Sequence, residues 1–336
     1  MLDVDAVRRH LHHLDLAVYA PLAGPLRAYA QYYGIDMEQQ LPGVRQYMGW
    51  FEAPGYQLAG HVFMPTVAKG TLFILHGYLD HAGLYGHLIR DALMQQHAVF
   101  IFDLPGHGFS SGERVDIDDF ADYQMVLEAA LAQYGPDLPT PFYALGQSTG
   151  GAILMDHVLS AYARGEAPAF ARMLLLAPLL RPAQWQRIRF GYGLMHRLQS
   201  SVPRVFRNNS SDADFLRFVR EQDPLQAHRV PMRWIGALKR WVAHMQVLPA
   251  CDFPVLLVQG EKDGTVEWRG NVDYVRRHFR VVHEALLPAA SHHLANERAD
   301  LRASVHAALA RLLASPANEA ALPGGGRLSQ DDWREA

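Results

Sequence analysis

The chain has a single cysteine among 336 residues, Cys251, so no internal disulfide can form and packing must hold the fold together. A reducing, cytoplasmic setting is expected. Cys251 follows Pro249 and Ala250 with no basic partner in the sequence nearby, which reads as a partly buried, inert thiol. Long apolar runs are missing too. The moderately apolar stretch 10–30 is broken by Asp15, Pro21, Pro25 and Arg27, so neither an export signal nor a membrane span is expected. Charge of either sign is scarce, with charged residues at 19% and a formal net charge of -3. That balance excludes a disordered chain and offers no footprint for nucleic acid. The 18 histidines include no His-Glu-x-x-His or comparable ligand spacing. His10, His12 and His13 read as a solvated helix face, and no metal or organic cofactor is expected.

What the chain does have is apolar residues, at 49%. From about residue 46 they fall into short apolar runs alternating with amphipathic stretches. The pattern predicts a hairpin over 47–52 and 56–64 and strands at 71–75, 98–104, 142–145, 173–176, 253–259 and 281–287. Helices are predicted over 84–95, 120–134, 268–278 and 298–313, with another directly after Ser148. Uniformly apolar strands separated by helices predict an α/β fold, a mostly parallel sheet covered on both faces. Residues 181–250 interrupt the alternation without a convincing strand and are expected to form a helical cap. Val4, Val7, Leu11, Leu14 and Val18 predict one helix that stops before Pro21, followed by a short helical piece near 26–33. The expected organisation is therefore an N-terminal helical extension (1–44), a core (45–180 and 251–315), the cap (181–250) and a flexible tail (316–336).

Gly146-Gln-Ser-Thr-Gly150 lies between the strand at 142–145 and an apolar helix. This is the G-x-S-x-G turn that lifts a serine hydroxyl out of a sheet and sets it at a helix N-terminus. Glycines flank the serine at two residues' distance because side chains there would collide. Gly108-Phe-Ser-Ser-Gly112 matches the same pattern, but Glu113 and Arg114 follow it where a helix should begin. Ser110 therefore reads as a structural turn residue and Ser148 as the nucleophile.

A serine needs a base, and the base needs an orienting acid. Asp263 follows the strand at 253–259 and His292 follows the strand at 281–287, so all three groups fall at strand carboxyl ends in the order Ser, Asp, His. Glu261 competes with Asp263, which is favoured because Gly264 would permit the turn that aims it inward. His293 competes with His292, and adjacent residues cannot both face Ser148. For an oxyanion, the backbone N–H groups of Thr149 and of Tyr78, just past His76-Gly77, are the expected donors.

Five segments together resemble the monoacylglycerol lipase and lysophospholipase branch of the α/β-hydrolases, with its serine aminopeptidase S33-type domain. They are His76-Gly-Tyr-Leu-Asp-His-Ala-Gly-Leu-Tyr85, Asp103-Leu-Pro-Gly-His-Gly-Phe-Ser-Ser-Gly112, Gly146-Gln-Ser-Thr-Gly-Gly151, Gln259-Gly-Glu-Lys-Asp263 and Ser291-His-His-Leu-Ala-Asn-Glu297. The resemblance covers about residues 45–315. It implies the α/β-hydrolase fold with a helical cap, His292 as the base, and a structural role for the turn holding Ser110. The family's usual His-Glu-Leu carries His293 in place of glutamate here, and Gln147 and Thr149 depart from the usual His and Met around the serine. The implied chemistry is hydrolysis of a small amphiphilic ester through an acyl-enzyme. Peptidase, amidase or thioesterase activity on the same triad stays open, as does a non-enzymatic scaffold.

The expected cap carries Trp185, Phe190, Phe215 and Trp234 as candidate substrate-binding residues. It also holds eleven arginines and one lysine against three aspartates and one glutamate, a formal +8 in a chain of net -3. Such a surplus either pairs with acids of the body or draws in anionic amphiphiles and an anionic membrane surface. Oligomeric state is not readable from the sequence.

Overall fold

The computed structural model describes residues 2–314, so the expected tail lies outside the described residues. In chain order the strands are β1 (Val44–Ala53), β2 (Tyr56–Pro65), β3 (Thr71–Leu75), β4 (Ala98–Phe102), β5 (Phe142–Gln147), β6 (Arg172–Leu176), β7 (Ser201–Pro203), β8 (Arg229–Pro231), β9 (Pro254–Gly260) and β10 (Arg280–Leu287). The helices are α1 (Val4–His10), α2 (Gly24–Tyr32), α3 (Met37–Gln40), α4 (Gly86–Met94), α5 (Ala121–Tyr134), α6 (Thr149–Ala163), α7 (Trp185–Met195), α8 (Ala213–Glu221), α9 (Met232–Met245), α10 (Trp268–His278) and α11 (Ala299–Leu313).

Eight strands form one sheet in the order β1-β2-β4-β3-β5-β6-β9-β10. Pairing is parallel from β4 to β10, and the β1–β2 hairpin adds antiparallel to the β4 edge. Strands such as Thr-Leu-Phe-Ile-Leu in β3 are apolar at successive positions because both faces are covered. Phe73, Phe100, Ala144, Leu175 and Leu257 pack on one face with residues of α5, α6, α9 and α10. Leu72, Ile74, Val99, Leu145, Leu174 and Leu256 turn to the other face, toward α4 and α11. Burying one such side chain contributes roughly 1.5–3 kcal/mol.

Two local readings of the sequence are corrected. The first helix ends at His10, although the apolar spacing continues to Val18. Residues 12–14 instead run extended beside β1: Trp50 N–H donates to the His12 carbonyl and Leu14 N–H to the Trp50 carbonyl, both at 2.8 Å. Gly49 makes this approach possible, since a Cβ there would lie 2.6 Å from the His12 carbonyl oxygen. The segment covers an exposed sheet edge, a gain that outweighs continuing the helix. The second correction lies between 181 and 250, where β7 and β8 pair antiparallel as a separate ribbon between helices. Strands this short leave almost no periodic signal.

The segment 181–250 is tied to the body by charge and hydrogen bonds. Arg233 Nε lies 2.8 Å from Asp116, and Arg240 Nε lies 3.1 Å from Asp119. Buried Asp223 accepts from the Tyr33 hydroxyl at 2.7 Å and stands 3.0 Å from His81 Nε2. Burial acts to lower the His81 pKa, but the Asp223 charge and its hydrogen bond outweigh it and raise it.

Candidate active site

Ser148 sits between β5 and α6 with φ 52° and ψ -108°, a region that side-chain-bearing residues rarely occupy. The neighbours impose it. A Cβ on Gly146 would meet the Gly150 carbonyl carbon at 2.5 Å, and one on Gly150 would stand 1.9 Å from the Leu75 carbonyl oxygen. The Ser148 N–H is held by the Leu176 carbonyl at 2.9 Å, so β5, β6 and α6 together fix the turn.

His292 and Asp263 are brought together at the carboxyl ends of β10 and β9. His292 Nδ1 lies 2.7 Å from Asp263 Oδ2. Ionised Asp263 can only accept, so Nδ1 carries the proton and Nε2 is left free to take one. Asp263 Oδ1 accepts from the Thr265 and Val266 N–H groups at 2.8 and 3.0 Å, and Oδ2 also accepts from Gln259 Nε2 at 3.1 Å. Burial, the largest single influence, acts to raise the Asp263 pKa. The His292 charge, its hydrogen bond and the two amides outweigh burial and hold the carboxyl below its ordinary value. The turn amides orient Asp263. Gly264 does not, contrary to the expectation above, since it is not among the positive-φ residues and a Cβ there would touch nothing within 4 Å. Glu261 is exposed to solvent.

The loop carrying His292 is braced from three sides. Gln147 Nε2, from the turn that carries Ser148, donates to the His292 carbonyl at 2.9 Å. The Asn209 carbonyl accepts from the N–H groups of His292 and His293 at 3.0 and 2.7 Å. Buried Glu297 accepts from the Ser211 N–H at 2.8 Å and the Ser291 N–H at 2.5 Å. His293 is engaged elsewhere: its Nε2 lies 3.2 Å from Asp80 Oδ2 and its ring meets Phe215 edge-on at 4.8 Å.

Tyr78 occupies a tight turn closed by the Asp80 N–H to the Gly77 carbonyl at 3.1 Å, with Leu79 at φ 71°. The turn abuts Ser148, because a Cβ on Gly77 would lie 3.5 Å from Ser148 Cβ. Among the described residues neither the Tyr78 N–H nor the Thr149 N–H has an acceptor. Buried His76 anchors this turn to the end of β4, taking the Leu104 N–H at Nε2 (2.9 Å) and donating from Nδ1 to the Gly77 carbonyl (2.8 Å). The backbone donor at Nε2 fixes this tautomer, and burial lowers the ring's pKa, keeping it neutral.

Ser148, Thr149, Tyr78, His292 and His293 line one cavity of about 430 Å³. Among the described residues Ser148 Oγ and the His292 ring make no hydrogen bond to each other, a contact that commonly closes only around substrate. Of the four aromatic candidates, Trp234 lines this cavity and stacks on the Tyr78 ring at 3.7 Å. Trp185 is buried in the core, Phe190 is 72% exposed, and Phe215 lines a separate cleft beside α2. The sequence places such aromatics within 181–250 but does not tell which face of that segment each occupies. Arg204, Arg207, Arg220, Leu216 and Val219 line the cavity and were not singled out; the positive surplus of 181–250 was the available signal. Ser110 has the structural role expected, donating to the Asp103 carbonyl and accepting from the Ala59 N–H at 3.0 Å. Among the described residues no three His, Cys, Asp or Glu side chains are grouped to hold a metal ion.

Comparison with known proteins adds kinship. Residues 66–299 match the family model described as serine aminopeptidase, S33. The chain is 29% identical to a monoglyceride lipase from Rattus norvegicus over 235 residues, 65% of this chain and 73% of that protein. It is 26% identical to a monoacylglycerol lipase from Mycolicibacterium smegmatis over 260 residues, 72% and 88% of the two chains. A soluble variant of the Saccharomyces cerevisiae monoglyceride lipase, solved with a substrate analogue, has the same fold. It superposes with a TM-score of 0.66 at 17% identity, covering 79% of this chain and 93% of that one.

Proposed function

The chain belongs to the serine aminopeptidase S33 family of α/β-hydrolases, in its monoacylglycerol lipase-like branch, and from that premise we propose that it cleaves carboxylic esters of amphiphilic lipids, of monoacylglycerol or lysophospholipid type, through an acyl-enzyme on Ser148. One observation carries the reading. The strained serine, a His292 ring polarised by Asp263 at 2.7 Å and two backbone N–H groups without an acceptor among the described residues meet at one cavity with an aliphatic wall.

In this mechanism His292 Nε2 takes the Ser148 proton as Oγ attacks the ester carbonyl. The Tyr78 and Thr149 N–H groups hold the oxyanion, helped by the N-terminal end of α6. Collapse breaks the ester C–O bond, and His292 passes its proton to the leaving alcohol. A water activated by the same ring then attacks the acyl-enzyme, and the acid departs as Ser148 regains its proton. Asp263 holds the tautomer and stabilises the imidazolium throughout.

Aliphatic wall residues, among them Leu216, Val219, Val230, Ile235 and Leu238, support an acyl chain as the occupant. A peptide amine finds little support, since Asp80, the cavity's acidic lining residue, is already engaged by the Tyr85 hydroxyl at 3.0 Å and by His293. Among the described residues no helix is long and apolar enough to cross a membrane. Phe190, Leu194 and Leu198, exposed at four-residue steps in and just after α7, support peripheral contact with an anionic membrane, and flotation with anionic vesicles tests it. Hydrolysis of monoacylglycerols by the wild-type chain and by Ser148→Ala tests the main reading. The substitution should lower turnover on the order of a million-fold. Activity near wild type would remove Ser148 from the mechanism.

A further inference from the structure

Six of the twelve cations of 181–250 fall into two sets by what they face. Arg233 and Arg240 pair with Asp116, Asp118 and Asp119 of the body, and Arg217 pairs with Asp214. Arg204, Arg207 and Arg220 line the cavity that holds Ser148 and His292, and among the described residues none of the three has a carboxylate within 4.0 Å. Against these three charges the described lining holds one carboxylate, Asp80, which is already engaged.

Arg204 is held in place as a receptor would be. Its Nη1 donates to Gln226 Oε1 at 2.6 Å and to the Ala227 carbonyl at 3.1 Å, and its guanidinium lies 4.3 Å over the Phe206 ring. Its Nε and Nη2 have no acceptor among the described residues. Two vacant donors on one rigid plane match the paired oxygens of a phosphate or carboxylate. Arg207 donates to the Gly264 carbonyl, and Arg220 Nη2 reaches Asn208 Oδ1 at 3.4 Å, so all three cations gather along the segment 204–209. Asp80 and Asp223 act on Arg204 only from beyond 4.0 Å, and a half-buried guanidinium without a direct counter-charge is costly unless an anion arrives to pair with it.

We propose that Arg204, with Arg207 and Arg220, forms a headgroup subsite for ester amphiphiles whose alcohol portion carries an anionic group, a phosphate above all. This rests on the esterase reading and names its substrate class. The acyl chain lies against the aliphatic wall while the anionic headgroup pairs with the Arg204 fork.

The test compares kcat/KM for a 1-acylglycerol and the 1-acylglycerol 3-phosphate with the same acyl chain, both below their micelle concentrations. Wild type should favour the anionic ester by at least about tenfold, from one charge-assisted pair. Arg204→Gln should bring the ratio to about one, and Arg220→Gln should lower it part of the way. Because both substrates are measured on the same preparation, a partly unfolded variant cannot change the ratio. A ratio near one in wild type overturns the subsite alone, whereas no turnover of either ester overturns the esterase reading and the subsite with it. An equal fall in Arg197→Gln, which lies outside the cavity lining, would assign the preference to general surface charge and overturn the subsite. So would free glycerol 3-phosphate that speeds turnover of the neutral ester, the mark of a separate regulatory anion.

Discussion

Replacing Asp263 with asparagine changes one atom and reverses the logic of the base. Asp263 Oδ1 takes two backbone N–H groups, from Thr265 and Val266, while Oδ2 takes His292 Nδ1 and Gln259 Nε2. In Asp263→Asn the amide oxygen must stay with the two backbone donors, because an NH₂ group there would face two hydrogens. The NH₂ group therefore occupies the Oδ2 position and donates to His292 Nδ1. The imidazole is forced to carry its proton on Nε2, where it cannot accept one from Ser148. The expected loss is roughly ten-thousand-fold in kcat, about 5.4 kcal/mol of transition-state stabilisation, by analogy with the same change in a well-characterised serine protease triad. KM should change little, since no substrate contact is removed. Gln259 Nε2 keeps the Gly260 carbonyl at 2.9 Å, so the stability cost should be only about 1 kcal/mol. Steady-state kinetics on a soluble short-chain ester, with urea unfolding as the stability control, measures both quantities. A fall of less than tenfold, or one explained by lost stability, would refute the assignment of Asp263 as the orienting acid.

Two further outcomes follow from the packing. His61 is fully buried against Tyr29 and Phe63 with neither ring nitrogen hydrogen-bonded among the described residues, and burial lowers its pKa from 6.5 to about 4. The native state then binds fewer protons than the unfolded chain. Stability is full above pH 6.5 and falls as pH drops toward 4, by roughly 2 kcal/mol at pH 5 from this ring alone. His61→Phe should remove that share of the acid sensitivity in urea unfolding at pH 7.5 and 5.0, and an unchanged difference between the two pH values would count against it. Gly150→Ala places a methyl 1.9 Å from the Leu75 carbonyl oxygen, a backbone atom that cannot yield without parting β3 from α6. It should cost roughly 3 kcal/mol and much of the activity, read by thermal unfolding and ester turnover; a variant of wild-type stability would contradict the packing described for the turn.

The parallel sheet was legible because burial on both faces writes itself as continuous apolar runs. The bounds expected for β3 and α10 coincide with those observed. That Ser148, Asp263 and His292 gather at one sheet edge was legible for a related reason: each follows such a run, and parallel strands deliver their following loops to one edge. What escaped depends on neighbours that no local window contains. The spacing from Val4 to Val18 predicts one helix, yet the Trp50 backbone draws residues 12–14 into an edge pairing. Phe190 and Trp234 look alike in sequence; one is exposed on the outer face of α7 and the other stacks on Tyr78. Asp263 is oriented by amides two and three residues ahead, not by the glycine beside it. The excess arginine of residues 181–250 was visible as composition, but only the fold separates the residues that pair with the body from those lining the cavity of Ser148.

The most direct measurement is reaction of the full chain with a fluorophosphonate, followed by mass spectrometry of its peptides. An activated serine beside an oxyanion hole should take up one phosphonyl group, located on Ser148, with no adduct in Ser148→Ala and a greatly slowed one in His292→Ala. A chain that stays unlabelled, or one whose adduct maps to Ser110 or another side chain, would contradict the claim that the turn after β5 carries the nucleophile.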